Sequence, residues 1–311
     1  MKVIYIDPLL RGWKRMTRAL FQPFDISKWF VVGFTAFLAG LMDGHGGNQV
    51  NRSFQADRDD FREVIEFPHT AWNWLTDHTG WAVLIVIGIL IIIGIVIVLT
   101  WLSSRGKFMF LDNVVHDQAQ VVKPWYAFKD QGNSLFLWRI CFGLISFFIM
   151  ILFFFQCLSI VYNIYENTVS SNFPFMTIIG MVLLGILLML LILFVAMLVG
   201  SFIIPIMYKH GLSTMQAWNK FLPLFSKQFS SFIIFGIVMF IITVVVTVCI
   251  VFFGFFTCCI GFVLLVLPYI SSVVLLPVSY TIRSFSIEFL AQFGPEFTVF
   301  AEKQKKSGKM K

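Results

Sequence analysis

The chain has 311 residues, of which 59% are hydrophobic and 13% are charged, and its mean hydropathy is +0.87. So few polar side chains cannot cover a soluble surface of this size, which excludes a water-soluble enzyme or binding module. The net charge is +7. We attribute it to membrane topology and anionic headgroups, because the basic residues lie in segments beside apolar runs, and we do not expect nucleic-acid binding.

Six apolar runs follow one another along the chain. A bilayer core about 30 Å thick requires roughly 20 consecutive apolar residues in a helix. The first run, 29–42, is about two-thirds of that length, so it either recruits the preceding turn to cross or re-enters the membrane. Five later runs are long enough, and they cover residues 81–102, 140–162, 175–207, 232–256 and 260–280.

The positions of the basic residues predict the orientation of these runs. If all six cross and the N-terminus is inside, every one of the 23 Lys and Arg residues except Arg52, Arg58 and Arg62 is cytoplasmic. Basic residues interrupt any apolar core near the N-terminus, so a cleaved signal peptide is not expected. We therefore predict a multi-pass protein of the cell (inner) membrane with both termini in the cytoplasm.

An internal repeat organises the runs into pairs. Short Trp-bearing stretches precede the first, third and fifth runs, at Trp13, Trp125 and Trp218. Aligned on the tryptophan, the second and third copies share Phe at +3 (Phe128, Phe221), +11 (Phe136, Phe229) and +17 (Phe142, Phe235) without a gap. A shared glycine follows at +18 (Gly143, Gly236), and the first copy keeps two of the aromatic positions, Phe24 and Phe30. Pro205-x-x-Tyr208 and Pro277-x-x-Tyr280 also occupy corresponding places. The sequence predicts three units of about 1–104, 105–210 and 211–295.

The predicted fold is all-α: six transmembrane helices arranged as three parallel repeats, each an interfacial amphipathic helix followed by a transmembrane hairpin. Because each unit starts and ends inside, the repeats are parallel, unlike the inverted repeats of many secondary transporters. Residues 1–301 form one integral membrane domain with an external loop at 43–80. Residues 302–311 form a charged cytoplasmic tail that we expect to be disordered.

Candidate binding residues lie in the Trp-bearing stretches. Aromatic and basic side chains are typical of interfacial helices, so we predict lipid-facing roles at the membrane surface. These candidates are Trp13, Trp125, Lys129, Trp218 and Lys220. Within the spans, Gln156 is the strongest polar group and a candidate intramembrane site, although Gln, Ser and Thr side chains in spans usually form hydrogen bonds between helices.

Catalytic signals are weak. The apolar spans contain no Asp, Glu, Lys, Arg or His, and no phosphate-binding loop occurs, which disfavours ion-coupled and primary transport. Asp112, His116 and Asp117 would share one helical face, as an acid–base pair requires, but such a cluster is more often solvated.

Metal and cofactor signals are equally weak. Loop histidines near carboxylates could bind a divalent metal, yet their spacing is not diagnostic. They are His45, His69 and His78. The five cysteines lie in or beside apolar runs and are interpreted as buried small hydrophobic residues. We predict no metal and no cofactor.

Several segments resemble a widespread family of uncharacterised prokaryotic six-span membrane proteins. The likeness lies in Lys28-Trp29-Phe30 and the following Gly33-Phe34-Thr35-Ala36-Phe37-Leu38-Ala39, in residues 101–112, and in Phe136-Leu137-Trp138-Arg139. More loosely, the helix-plus-hairpin units are similar to the membrane domain of some glycerophosphodiester phosphodiesterases. The resemblance implies a location and a fold without an assigned function. The chain has no room for the phosphodiesterase barrel, so that activity is not implied.

Three functions are compatible with these observations. The first is a non-enzymatic membrane scaffold or accessory protein that organises membrane lipids or a partner, either another membrane protein or a second copy of the chain. The alternative is a transporter or channel for an apolar or zwitterionic solute such as lipid, which needs no charged residue in the spans. The third is a membrane-interface enzyme that uses Asp112 and His116.

Overall fold

The computed structural model describes residues 3–43, 70, 73–166, 175–256 and 267–300, and these residues form helices joined by short turns. The prediction of an all-α protein is confirmed for this part of the chain. The helices are α1 Ile6–Phe21, α2 Ile26–Gly40, α3 Thr79–His116, α4 Val122–Ala127, α5 Lys129–Glu166, α6 Phe175–Leu198, α7 Ile204–His210, α8 Thr214–Lys227, α9 Phe229–Phe256, α10 Pro268–Val274 and α11 Leu276–Leu290. A π-helix, Val199–Ile203, joins α6 to α7, and two 3₁₀ turns, Ala291–Phe293 and Pro295–Phe297, follow α11.

Four of the helices described are long and apolar enough to cross a bilayer, which makes this a membrane protein with several spans. They are α3, the Lys129–Ile160 part of α5, the continuous Met176–His210 segment and α9. A fifth span is available if α10 and α11 count as one broken helix. Helix α2 has 15 residues and is shorter than a span. The helices therefore give four or five spans, and the predicted six are not shown.

Two of the predicted apolar runs are interrupted, and each interruption precedes a Pro-x-x-Tyr motif. The run 260–280 is not one straight helix, because α10 and α11 meet at a bend of 63°. Pro277 explains this bend, since proline lacks an N–H and its ring clashes with the carbonyl four residues earlier. In the run 175–207, the π-helix Val199–Ile203 comes just before Pro205. Residues 257–266, which include the start of the run 260–280, lie outside the described residues.

One compact unit of the chain consists of Met1–Gly46, Trp101–Trp138 and Phe194–Lys311. Its core is aromatic: the ring centroids of Phe202 and Phe235 lie 4.8 Å apart, and those of Phe235 and Phe289 lie 4.6 Å apart. Phe221 and Phe232 are completely buried in the same cluster. Phe221 and Phe235 are two of the repeat positions identified in the sequence, so in the third copy these positions contribute to the core.

Helix α2 packs antiparallel to the polar end of α3. At one end Lys28 Nζ lies 2.8 Å from Asp117 Oδ1, and at the other Lys107 Nζ lies 2.8 Å from Asp43 Oδ1. A Cβ on Gly106 would lie 2.6 Å from Leu38 Cβ, so glycine permits this approach. Helix α2 therefore lies beside residues 103–117 of α3.

The second unit consists of Gly47–Thr100 and Arg139–Leu193. The side chains of its described helices are mostly apolar and exposed, as expected for surfaces that face lipid. Cys141 is exposed in this unit, and Cys249 of the first unit is exposed as well. The interpretation of these two cysteines as buried residues is therefore wrong, because their helices are apolar on every face and position alone does not bury a side chain.

Candidate membrane-interface site

Helix α1 presents two apolar faces and one charged edge. Its buried face packs against α11, where a Cβ on Gly12 would lie 3.0 Å from the backbone nitrogen of Phe285. Its charged edge is fixed by Glu288, which accepts contacts from Arg11 Nε at 3.1 Å and Arg15 Nη2 at 3.4 Å. The second apolar face is exposed, and it consists of Ile6, Leu10, Trp13 and Phe21.

This exposed stripe of α1 has cations beside it. Lys14 lies four residues after Leu10, and Arg18 lies three residues before Phe21, so both are neighbours of the stripe on the helix surface. Both side chains are exposed. Trp13 is 56% exposed at the centre of the stripe. An exposed aromatic and aliphatic stripe with flanking cations is the arrangement of a helix that lies in the headgroup region.

Trp125 anchors the short helix α4 to α3 instead of facing outward. The Arg105 guanidinium lies 4.5 Å from the Trp101 ring centroid and 4.8 Å from that of Trp125. Asn133 Oδ1 accepts hydrogen bonds from Trp101 Nε1 at 3.2 Å and from Arg105 Nη2 at 3.1 Å. The exposed side chains nearby are Val122, Lys123, Tyr126 and Lys129.

Trp218 points toward the interior of its unit. Its ring centroid lies 6.0 Å from that of Trp138 and 6.0 Å from that of Phe221. Its Nε1 is buried and has no hydrogen-bond partner among the described residues. The exposed apolar side chains of α8 are instead Met215 and Leu222. The three tryptophans thus have different surroundings, and their lipid-facing roles stay predictions.

Gln156 is exposed on α5. The threonines of α9 have hydroxyls that donate to carbonyls of their own helix, from Thr243 to Met239 O and from Thr247 to Thr243 O, both at 2.9 Å. The expectation of interhelical hydrogen bonds is therefore wrong for these two residues. A hydroxyl in an apolar helix can bond to the carbonyl four residues earlier without a partner helix.

The predicted Asp112–His116–Asp117 cluster is divided in the structure. Asp112 Oδ1 accepts from Tyr208 Oη at 2.7 Å and lies 3.0 Å from His116 Nδ1. Asp117 instead pairs with Lys28. If His116 donates from Nδ1, its Nε2 keeps a lone pair, and the side chain is 54% exposed. The arrangement can orient an imidazole toward solvent, and Tyr208 is the member that sequence reasoning did not assign.

The tyrosines of both Pro-x-x-Tyr motifs form hydrogen bonds with the same turn of α3. Tyr208 bonds to Asp112, and Tyr280 Oη donates to Val114 O at 3.2 Å. Asn113 lies between these two residues. Its Oδ1 accepts a hydrogen bond from Gln120 N at 2.9 Å, and its Nδ2 donates one to Gln120 O at 3.0 Å. The repeated motif was the signal in the sequence that could have identified these contacts.

One buried and one half-buried cation were also not predicted. Lys107 is 8% exposed and pairs with Asp43. Arg283 donates from Nη1 to Gly200 O, a carbonyl within the π-helix. Both basic residues lie just beyond apolar runs, where the sequence suggests solvent-exposed or headgroup-facing positions.

The predicted external histidines are only partly described. His78 Nδ1 lies 3.0 Å from Trp74 O, and the two rings stack with centroids 4.9 Å apart. His45 and His69 lie outside the described residues. Across the ranges that the structure covers, no group of three His, Cys, Asp or Glu side chains could hold a metal ion.

The long apolar helices and the surfaces above define an α-helical integral membrane protein. The chain belongs to the DUF7544 family, described as a family of unknown function, whose model matches residues 10–295. Comparison with curated proteins and with solved structures gave no match. The expectation of a membrane protein family without an assigned function agrees with this result, whereas the likeness to glycerophosphodiester phosphodiesterases finds no support.

Proposed function

We propose that this chain is a non-enzymatic membrane scaffold whose cytoplasmic face binds anionic phospholipid and so organises lipid or a partner membrane protein. The observation that carries the proposal is the exposed stripe of α1 with Lys14 and Arg18 beside it. Helix α1 is held against α11 by packing and by Glu288, so the stripe is presented on a fixed support. Lipid is the occupant that fits, since apolar and cationic groups then meet acyl chains and phosphates together.

The proposal includes six crossings with both termini in the cytoplasm, and contacts within the compact unit support part of this topology. Lys28 and Asp117 form an ion pair, so they lie on the same side of the membrane. The chain between them must cross an even number of times. Helix α3 supplies one crossing. Because Asp43, which follows α2, pairs with Lys107 on the same side of α3 as Asp117, α2 does not supply the other, and a crossing by the first run, 29–42, is not supported.

The other two hairpins are supported by contacts between their two ends. Thr214 N donates to Ser134 Oγ at 3.0 Å, and α5 and α6 are the two crossings between these residues. His210 Nε2 lies 2.9 Å from Glu296 O, and α9 supplies one crossing between them. The return crossing then belongs to the segment that includes α10 and α11. Two pairs of contacts therefore favour two hairpins that open and close on one side, whereas the contacts do not support the first.

Cysteine labelling tests this topology. In a variant with the native cysteines replaced by alanine, Thr76→Cys is expected to react with a membrane-impermeant maleimide in intact cells, because residue 76 precedes α3 on the outer side. Lys123→Cys on α4 is expected to react only after permeabilisation. Protection of Thr76→Cys in intact cells, with reaction after permeabilisation, would contradict the six-span topology.

Lipid dependence tests the scaffold function. We expect the Lys14→Gln/Arg18→Gln variant in nanodiscs to retain phosphatidylglycerol with about fivefold lower affinity per charge removed, since each basic residue near an anionic surface contributes about 1 kcal/mol. Native mass spectrometry measures the lipid retained. Arg58→Gln/Arg62→Gln removes the same charge from the predicted external loop and should change retention little. Equal retention by all three proteins would count against the proposal.

A second function has one observation in its favour. The π-helix at Val199–Ile203 and the break between α10 and α11 interrupt corresponding helices of two repeats. Interrupted helices in corresponding positions are where membrane transporters place their binding sites. The alternative is therefore transport of an apolar or zwitterionic solute such as lipid, which a flux assay in liposomes separates from a scaffold.

A further inference from the structure

A turn after α11 is held by three basic side chains from two helices. Lys209 Nζ donates to Pro295 O, and His210 Nε2 lies 2.9 Å from Glu296 O. Lys220 Nζ lies 3.1 Å from His210 Nε2 and 3.7 Å from Glu296 Oε2. The side chains of α7 and α8 thus converge on the oxygen atoms of two consecutive residues.

The charges in this cluster are not balanced. Lys209 and Lys220 carry two positive charges, whereas Glu296 is the one carboxylate in contact with them among the described residues. The Glu296 side chain is 70% exposed, and an ion pair with so much solvent access is weak. The Lys209 ammonium donates to Pro295 O, which is a neutral carbonyl oxygen. The site could therefore accept further negative charge.

The proton positions also favour an anion. If His210 Nε2 donates to Glu296 O, it has no lone pair for Lys220, and the two donors repel each other. If Nε2 accepts from Lys220, it faces the lone pairs of Glu296 O at 2.9 Å. One contact is unfavourable in either case. An anionic group with several oxygens would accept from Lys209, from an N–H at His210 Nε2 and from Lys220 at once.

We propose that Lys209, His210 and Lys220 form a binding site for a phosphate group, that its natural occupant is the headgroup of an anionic phospholipid, and that the Pro295–Glu296 turn fills the site here. This inference rests on the proposed function and identifies a particular site for its lipid. The lipid source is favoured because Lys209 and His210 are the last two residues of the continuous Met176–His210 span, and the end of a span lies at the level of the headgroups.

The test uses full-length protein in phosphatidylcholine nanodiscs with and without phosphatidylglycerol. Lys209→Gln/Lys220→Gln is expected to weaken phosphatidylglycerol binding by about tenfold or more, measured by native mass spectrometry. The matched control is Lys227→Gln, an exposed lysine on the same helix as Lys220, which should change binding by less than about twofold. Binding by the double variant that equals wild type would overturn the site.

A second variant excludes misfolding as the explanation. Glu296→Gln removes the competing carboxylate and should strengthen phosphatidylglycerol binding by about threefold, an increase that a damaged fold would not give. Weaker or unchanged binding by Glu296→Gln would contradict the competition. Inorganic phosphate is added as a competitor: failure to displace the lipid supports a headgroup site, whereas displacement at comparable concentration would overturn the lipid assignment.

The outcomes also separate this site from the proposed function. If Lys14→Gln/Arg18→Gln loses phosphatidylglycerol and Lys209→Gln/Lys220→Gln keeps it, the phosphate site is wrong and the scaffold function stands. If no variant changes lipid retention, both are wrong.

Discussion

Replacing Gly106 by alanine is expected to separate α2 from α3 and to lower the stability of the folded protein by about 3 kcal/mol or more. The added Cβ would lie 2.6 Å from Leu38 Cβ and 2.7 Å from the backbone nitrogen of Ala39. A backbone atom cannot move away as a flexible side chain can, so the cost falls at or above the upper end of the usual range of 1–3 kcal/mol for overpacking. Thermal unfolding in one detergent, followed by tryptophan fluorescence, measures the change.

Gly94→Ala on the same helix is the control for this prediction. A Cβ at Gly94 meets no described atom within 4 Å, so the substitution should be neutral or slightly stabilising through the higher helix propensity of alanine. Equal unfolding midpoints for the two variants would contradict the packing of α2 against α3. A lower midpoint for Gly106→Ala alone would support that packing, and with it the ion pairs of Lys28 and Lys107 at the two ends of α2.

The sequence was sufficient for the long helices because their signal is local. Apolar runs such as 81–102 and 232–256 lie within α3 and α9, and Trp13, Trp125 and Trp218 each lie on a helix. The start of α2 also has a usual N-cap, because the Asp25 side chain accepts a hydrogen bond from Ser27 N at 2.8 Å.

Long-range contacts could not be predicted in the same way. Lys107 pairs with Asp43, which lies 64 positions away in the chain, and no periodic pattern links two such residues. The inward orientation of Trp218 likewise depends on Trp138 of another helix. The bend between α10 and α11 was foreseeable in principle from Pro277, but the composition of the run 260–280 is that of an uninterrupted span.

The polar contacts of Asp112 give the second large expected effect. Asp112 is 9% exposed and accepts from Tyr208, whose ring lies 4.9 Å from that of Phe128. Asp112→Ala should destabilise the protein by about 3 kcal/mol, because the Tyr208 hydroxyl and His116 Nδ1 lose their acceptor in a partly buried site. Tyr208→Phe should cost about 1.5 kcal/mol, the value expected for one hydrogen bond to a charged group. Urea unfolding in nanodiscs or detergent, followed by far-UV circular dichroism, measures both.

The double variant tests whether Asp112 and Tyr208 contribute to stability as one unit. If they do, Asp112→Ala combined with Tyr208→Phe should cost less than the sum of the single variants by about 1 kcal/mol, since the hydroxyl left unpaired by the first change is removed by the second. Asp77→Ala, at an exposed carboxylate, should change stability by less than about 0.5 kcal/mol. Strict additivity would mean that the Tyr208 hydroxyl does not depend on Asp112. In that case the helix interruption at the proline would explain why the Pro-x-x-Tyr motif is repeated, and the contact between its tyrosine and α3 would not.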